Sequence, residues 1–409
     1  MKAFFNVIDL EEAFAFVPNV SPVDTETIPL TGAANRILAE DIVSDVDLPD
    51  FPRSTMDGYA VGAASTFGAS EANPAYLTLT ETVTMGDAPS FSIGPGQAAR
   101  ISTGGMLPEG ANSVVMIEYA EAIDETTLEV YRSVAPGQHA IEKGEDFKKG
   151  AVILECGRRL RAQEIGLLAA FGQENICCYR KPVISIISTG DEIVPIDQAP
   201  GMAQIRDINT YTLSSLVEQS GGIPLILGII GDNLEALFDA CSQALAQSDM
   251  VLISGGSSVG TRDFSIEALS ALPDADILIH GIAISPGKPT ILATSGKKAL
   301  WGLPGHVVSA MVVFQVVVKP FIDRVRGLIE TTDQNAMPTA FLSRNIASAQ
   351  GRVDFIRVRL HHKDQRLYAE PILGKSGLIN TMVKADGLVK IDQHTEGLDE
   401  GALVEILPV

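Results

Sequence analysis

The sequence predicts a multidomain α/β protein: a central parallel-sheet α/β domain with an inserted β-rich domain, a small helical domain and a C-terminal β module. Three observations predict it. Over residues 179–328, short apolar runs ("VISIIS", "IPLILGII", "MVLISG", "ILIHGIAI") alternate with helical stretches ("TYTLSSLVEQSGG", "NLEALFDACSQALAQ", "FSIEALSAL"), the pattern of a parallel sheet with crossover helices. Over residues 48–140, strand-like runs such as "AYLTLTETVTM" and "NSVVMIEYAEAI" are punctuated by Gly and Pro. Helical spacing in "VIDLEEAFAFV" and "RRLRAQEIGLLAAFG" flanks that region on both sides, so it reads as an insertion.

The elements then fall into four regions. Residues 1–47 with 141–178 form the helical N-terminal and linker domain, 48–140 the inserted β domain, 179–328 the α/β domain and 329–409 the C-terminal β domain. The last shows strand alternation in "DFIRVRL" and a terminal "ALVEILPV". A chain of 409 residues exceeds one ordinary core and agrees with several domains. The segment "VVSAMVVFQVVV" is too short to span a bilayer and reads as a buried helix.

Charge and cysteine usage narrow the function. The formal net charge of −21 argues against nucleic acid or an anionic membrane as partner, since either needs a basic face. An anionic substrate then has to be met by local positive groups. Cys156, Cys177, Cys178 and Cys241 form no CxxC and read as reduced packing residues of a cytoplasmic protein. Asp9, Glu11 and Glu12 interrupt the N-terminal apolar run that an export signal needs.

In open α/β sheets ligands bind outside the carboxyl ends of the strands. "VISIIS" leads into "TGDE", which puts Asp191 and Glu192 there; "IPLILGII" leads to Asp232, and "MVLISG" opens "SGGSSVGTRD", ending on Asp263. Asp232, with Glu235 three residues on, also suits a capping box, and Asp263 suits an N-cap. Three loops of one sheet nevertheless each deliver a carboxylate. Gly255, Gly256, Ser257, Ser258 and Gly260 expose backbone amides able to cradle an oxyanion. Carboxylates beside a phosphate cradle suggest Mg²⁺, which takes one or two carboxylates and lets phosphate oxygens complete its shell. Neither GxxxxGK[ST] nor GxGxxG occurs. "ISPGKPT" with Lys288 and "GLPGHVVSAM" with His306 and Ser309 add positive charge and free amides.

These residues carry a resemblance. "FPRSTMDGYA", "RISTGGMLPEGANSVV", "GEDFKKG", "ISTGDEI", "SGGSSVGTRD", "PGKP", "GLPGHVVSA" and "GKSGLINTMVKADGL" stand in the order found in the molybdopterin molybdotransferase family (the MoeA and gephyrin E-domain type), over nearly the whole chain. The resemblance implies a four-domain homodimer with a molybdopterin-binding α/β domain and a C-terminal β-barrel-like domain. The active site is expected between the β domain of one subunit and the α/β domain of the other. It also implies Mg-dependent insertion of molybdate into adenylylated molybdopterin with release of AMP, the substrate arriving from a molybdopterin adenylyltransferase. Asp57, Thr103, Asp146, Glu192, Asp232 and Asp263 match catalytic positions, with Glu192, Asp232 and Asp263 the metal ligands. Lys288, Ser309, Arg357 and Ser376 match oxyanion-binding positions. The family commonly reads "KPGKP" and "GLPGNPVS"; here Ser285 replaces a lysine, and His306 and Val307 replace Asn and Pro, so a protonated His306 would restore part of the lost charge. An adenylyltransferase, a tungstate-handling relative and a non-catalytic scaffold are the alternatives.

Overall fold

The computed structural model describes residues 7–255, 261–329 and 337–409, the side chains of 261–263 excepted. The chain forms two compact units. One comprises Asp41–Glu155 and Gly166–Gln173, and the other holds the remaining described residues.

In the smaller unit a six-stranded sheet runs in the order Ser113–Met116, Gly58–Val61, Gln97–Ile101, Ala75–Thr82, Thr127–Val130, Ala120–Ala122. Alternation in "AYLTL" buries Leu77 between the exposed Tyr76 and Thr78, and Leu77 packs on Tyr59, Val61, Val115 and Leu128. The helical character expected around this unit is confined to Leu10–Phe14 and Ala162–Ala170. Thr25–Pro29 pairs antiparallel with Asn175–Tyr179, whose Ile176 and Cys178 turn inward. Ile42–Val43 pairs with Val152–Leu154. The period-two pattern of "NICCY" selects a strand there.

The α/β layer runs β1 (Val183–Thr189), α1 (Asn209–Gln219), β2 (Ile223–Ile230), α2 (Leu234–Gln247), β3 (Met250–Gly255), α3 (Thr261–Ser270), β4 (Ala275–His280), β5 (Ile291–Ser295), β6 (Lys298–Leu303) and α4 (Val307–Val313). The sheet order is β2-β1-β3-β6-β5-β4. β2, β1, β3 and β6 are parallel, as expected, and each ends at the same edge. β5 departs from the expectation: it pairs antiparallel with β6 and β4, because the short "SGK" turn can only reverse the chain. The run "ILIHGIAI" also splits. It turns at Gly281, whose φ of +107° suits glycine, and only its first part stays in the sheet. α4 continues through a π-helical turn, Phe314–Val318, into Lys319–Val325. This rod is the expected buried helix: Val308, Val312, Phe314 and Val317 pack in one core with Trp301 and Phe321, whose rings meet edge to face at 4.9 Å. Among the described residues no helix is long and apolar enough to cross a membrane.

The C-terminal strands close on themselves. Val353–Lys363 pairs with both Arg366–Pro371 and Gly387–Ile391, and Leu403–Pro408 with both Gly387–Ile391 and Thr339–Leu342. Thr339–Leu342 completes the circuit against Arg366–Pro371. The result is a five-stranded barrel around Val358, Ala369, Val389, Val404 and Ile406. Ile284–Ser285, after Gly281, adds to its wall in register with Val353–Asp354. The following Gly287 sits at φ +126°, and a Cβ there would lie 2.4 Å from Cγ2 of Val313, so only glycine lets this turn lie on α4.

Near the N-terminal end of helix Ala162–Ala170, Glu164 is almost fully buried and holds Arg161 (Nη2 to Oε1, 2.7 Å) and Arg158 (3.3 Å), and it accepts the Arg161 backbone N–H at 2.9 Å. The Arg161 hydrogen bonds pull its pKa down to about 2. A carboxyl with a lowered folded-state pKa contributes stability above its ordinary range and loses it as pH falls toward the lowered value. Glu164→Gln is expected to destabilise the protein by about 1–3 kcal/mol at pH 7, the arginines' partial exposure weakening the pair. Denaturant melts from pH 7 to about 2.5 check this, and the gap to the unmutated protein should close across that range.

Candidate functional site

The ends of β2, β1, β3 and β6 bring Asp232, Thr189–Glu192, Gly255 and Pro304–His306 to one edge in that spatial order. Gly255 has φ +115°, and a Cβ on it would stand 2.1 Å from the Thr189 carbonyl oxygen. A glycine is thus required at 255, where β3 leaves the sheet beside β1. Gly256, Ser257, Ser258 and Gly260 lie outside the described residues. Asp263 falls inside α3 and not at its cap, and its side chain is outside the described set.

Asp232 is not the cap of α2. Asn233 is, accepting from the Ala236 amide at 3.0 Å. Asp232 instead donates its own backbone N–H to Oδ1 of Asp191 at 3.0 Å, which holds its carboxyl close to those of Asp191 and Glu192. Burial, then the charges of Asp191 and Glu192, raise its pKa. Among the described residues no three His, Cys, Asp or Glu side chains reach metal-binding distance of one another.

The oxyanion candidates meet in a cavity of about 630 Å³ between the α/β layer and the barrel. Lys288 and Ser285 line it from the turn, His306 and Ser309 from the start of α4, Arg357 from the barrel wall and Ser376 from the loop beyond it. Nδ1 of His306 and Oγ of Ser376 share a hydrogen bond of 2.8 Å, and the Ser376 carbonyl accepts from the Val308 amide. Ser309 is 5% and Arg357 6% exposed. Arg357 donates Nη2 to the Gly374 carbonyl at 2.9 Å, while its buried Nε has no hydrogen-bond partner. Burial draws its pKa below the ordinary guanidinium value. A buried cation with one carbonyl and no carboxylate against it is costly unless an anion arrives.

Sequence reasoning missed two neighbours here. Arg352 and Asp354 also line the cavity, paired Nε to Oδ1 at 2.9 Å, with Ser348 Oγ donating to Asp354 at 2.7 Å. Their signal is a pair of charged residues flanking the apolar positions of "RVDFIRV", which alternation alone assigns to solvent. Three cations and one carboxylate therefore face the cavity in a chain of net charge −21. Also missed is "RDINT", which runs into the helical stretch "TYTLSSLVEQSGG". Asp207 accepts from Ser188 Oγ, Thr210 N and Thr210 Oγ1, and Asn209 bonds Ser254 and Gly305. An Asp and an Asn just ahead of a helix were the available signal.

In the smaller unit Asp57 and Thr103 come together: Oδ1 of Asp57 accepts the Thr103 amide at 2.7 Å and its hydroxyl at 3.1 Å. The amide bond, then the hydroxyl, hold the Asp57 pKa below its ordinary value. Asp146 is exposed on the same unit, its backbone N–H donated to the Leu48 carbonyl, and no bond joins its side chain to that pair.

Family models match the chain end to end: the MoeA N-terminal region (domain I and II) over residues 8–172, a probable molybdopterin binding domain over 185–324, and the MoeA C-terminal region (domain IV) over 339–409. The chain is 37% identical to a putative molybdopterin biosynthesis protein of Methanocaldococcus jannaschii, covering 93% of this chain and 91% of that one. It is 34% identical to the molybdopterin molybdenumtransferase of Bacillus subtilis, covering 94% and 90%. A crystal structure of the MoeA molybdopterin biosynthesis protein of Pyrococcus horikoshii superposes with a TM-score of 0.79 at 36% identity, covering 98% of this chain and 99% of that one. A molybdopterin-binding sheet joined to a closed barrel across a cationic cavity defines a transferase of molybdenum cofactor biosynthesis. More narrowly, the chain belongs to the MoeA family of molybdopterin molybdenumtransferases.

The acidic edge crowds three carboxylates together at a cost in stability. Asp232→Asn removes one of three like charges and keeps the backbone bond to Asp191. It is expected to raise Tm at pH 7 in chelator-containing buffer by about 1 °C or more while turnover falls; calorimetry alongside a product assay checks both signs.

Proposed function

We propose that this homodimeric, cytoplasmic enzyme inserts molybdate into adenylylated molybdopterin and releases AMP. The observation that carries the proposal is the cavity around Arg357, where cations outnumber carboxylates as a tetrahedral dianion requires. We further propose the four-domain division read from the sequence.

Lys288, Arg352 and Arg357 attract the oxyanion, and the Ser309 and Ser376 hydroxyls donate to its oxygens. When Nδ1 of His306 carries the proton it donates to Ser376 Oγ, which frees the serine proton for the substrate. At the sheet edge, backbone amides from Gly255 to Gly260 hold phosphate oxygens as charge develops on the leaving AMP. Asp57, Thr103 and Asp146 belong to the same active site in this proposal. A water oxygen bonds to the adenylyl phosphorus as the P–O bond to the molybdopterin phosphate breaks and AMP leaves; the two dithiolene sulfurs then bond to molybdenum as one Mo–O bond breaks, the oxide leaving as water with the two thiol protons.

Glu192 and Asp232 fit a hard divalent cation: they are carboxylates crowded by Asp191, with no ion pair to a cation among the described residues. With Asp263 they would hold Mg²⁺, which when bound neutralises pyrophosphate charge.

Purified protein mixed with adenylylated molybdopterin, Mg²⁺ and molybdate or tungstate should release AMP in an oxyanion-dependent way. No such release sinks the proposal, and ATP-dependent adenylylation of free molybdopterin would support the adenylyltransferase alternative. Arg357→Ala should raise the oxyanion concentration needed for half-maximal AMP release by about tenfold or more. Ser285→Lys, returning a lysine to the turn, should lower that concentration several-fold; isothermal titration with molybdate measures both.

A further inference from the structure

The carboxyl edge and the oxyanion cavity are built on different strand ends, and the reaction needs both in one register. The segment "RDINT" stands where they meet. Asp207 ties the first turn of α1 to the end of β1 through Ser188 Oγ at 3.0 Å. Two residues on, Asn209 spends both hydrogens of its side-chain amide on the next two strand ends. One goes to Oγ of Ser254, the last residue before Gly255 on β3, at 2.5 Å; the other goes to the carbonyl of Gly305 in the elbow after β6, at 2.8 Å. The Gly305 carbonyl can only accept, so the amide orientation is fixed.

Three further facts set Asn209 apart from an ordinary helix-start residue. It caps nothing: it is the first residue of α1, and Ile208 occupies the cap position. It is 7% exposed, and its Oδ1 is buried with no hydrogen-bond partner. A residue kept for stability alone would not leave a buried acceptor unsatisfied. Its two partners lead directly into the two loops on which the reaction depends, the glycine loop on one side and the His306 elbow on the other.

We propose that Asn209 is a positioning residue that clasps the end of β3 at Ser254–Gly255 to the elbow after β6 at Gly305–His306, so that an anion bound near His306 is held in fixed register with a substrate bound at the end of β3. Among the described residues it bonds to none that lines the cavity, and it acts through Ser254 and Gly305. The proposal rests on the functional reading above for its kinetic consequence, but not for its structural one.

The test uses the full chain with Asn209→Ala, Asn209→Asp and Ser254→Ala. In the unliganded protein, hydrogen exchange at the backbone amides of Gly255, Gly305 and His306 should quicken by about tenfold in Asn209→Ala, with the strand interiors of β1, β3 and β6 unchanged. Asn209→Asp should match it, because a carboxylate facing the Gly305 carbonyl cannot donate. In steady-state assays the oxyanion-stimulated kcat should fall by about tenfold or more, while KM for adenylylated molybdopterin and Kd for molybdate stay within about threefold. Ser254→Ala removes one of the two links without altering Asn209, and should show a smaller change of the same kind even if Asn209→Ala fails to fold. Unchanged exchange at all three amides overturns the proposal. So does exchange that quickens throughout the sheet with kcat, KM and Tm declining together, the mark of a merely structural residue. If the unmutated protein releases no AMP, the functional reading fails and the exchange data still decide the clasp.

Discussion

Two residues of backbone pairing, Ile284–Ser285 against Val353–Asp354, hold the oxyanion cavity together. They bring the "PGKP" turn of one fold, the α/β layer, against the wall of another, the closed barrel. The pairing adds to a shared apolar core in which Ile284, Val308 and Val313 pack with Val353, Phe355 and Leu388, and together they set Lys288 and Arg357 on one cavity. The pairing depends in turn on two glycines. Gly281 lets the chain leave β4, and Gly287 lets it pass over Val313 without a clash. The site is therefore a consequence of where the main chain can turn, and its charged side chains come second.

Much of this was legible in the sequence, and the part that was not has a physical reason. Apolar runs located β1, β2, β3 and β4, because sheet strands covered by helices leave a nearly unbroken hydrophobic record. Asp191, Glu192 and Asp232 followed from the strand-end rule. The antiparallel β5 was not legible, since a hairpin inside an α/β pattern is as apolar as a parallel strand. The barrel-like C-terminal domain came from resemblance and not from residue pattern, because closure is a matter of which edges pair. Arg357, Ser376, Asp57 and Thr103 came from resemblance alone. Individually they look like a strand charge, a loop serine and a turn pair, and only the fold shows Arg357 buried and Asp57 bonded to Thr103. The capping alternative for Asp232 falls to its neighbour Asn233, a shift of one residue that sequence spacing cannot decide where Asp and Asn are adjacent.

The site departs from its family's common pattern on one wall only. Ser285 and His306 both face the cavity, and His306 is bonded to Ser376, itself a family position. A serine thus stands where the family commonly has a lysine, and an imidazole that shares its hydrogen bond with the Ser376 hydroxyl stands where it commonly has an Asn. Arg352, held by the buried Asp354, supplies a further positive group from the barrel side. The balance of charge in the cavity is kept by residues drawn from both folds.

A cationic cavity set into a chain of net charge −21 also has a kinetic meaning. At long range an approaching dianion meets a repulsive field, and it feels the arginines only within the last few ångströms. At physiological salt the screening length of about 8 Å hides most of the repulsion and little of the attraction. Under the proposed function, oxyanion capture would run opposite to electrostatic steering: moderate salt would speed the encounter by shielding the acidic exterior, and dilution would slow it.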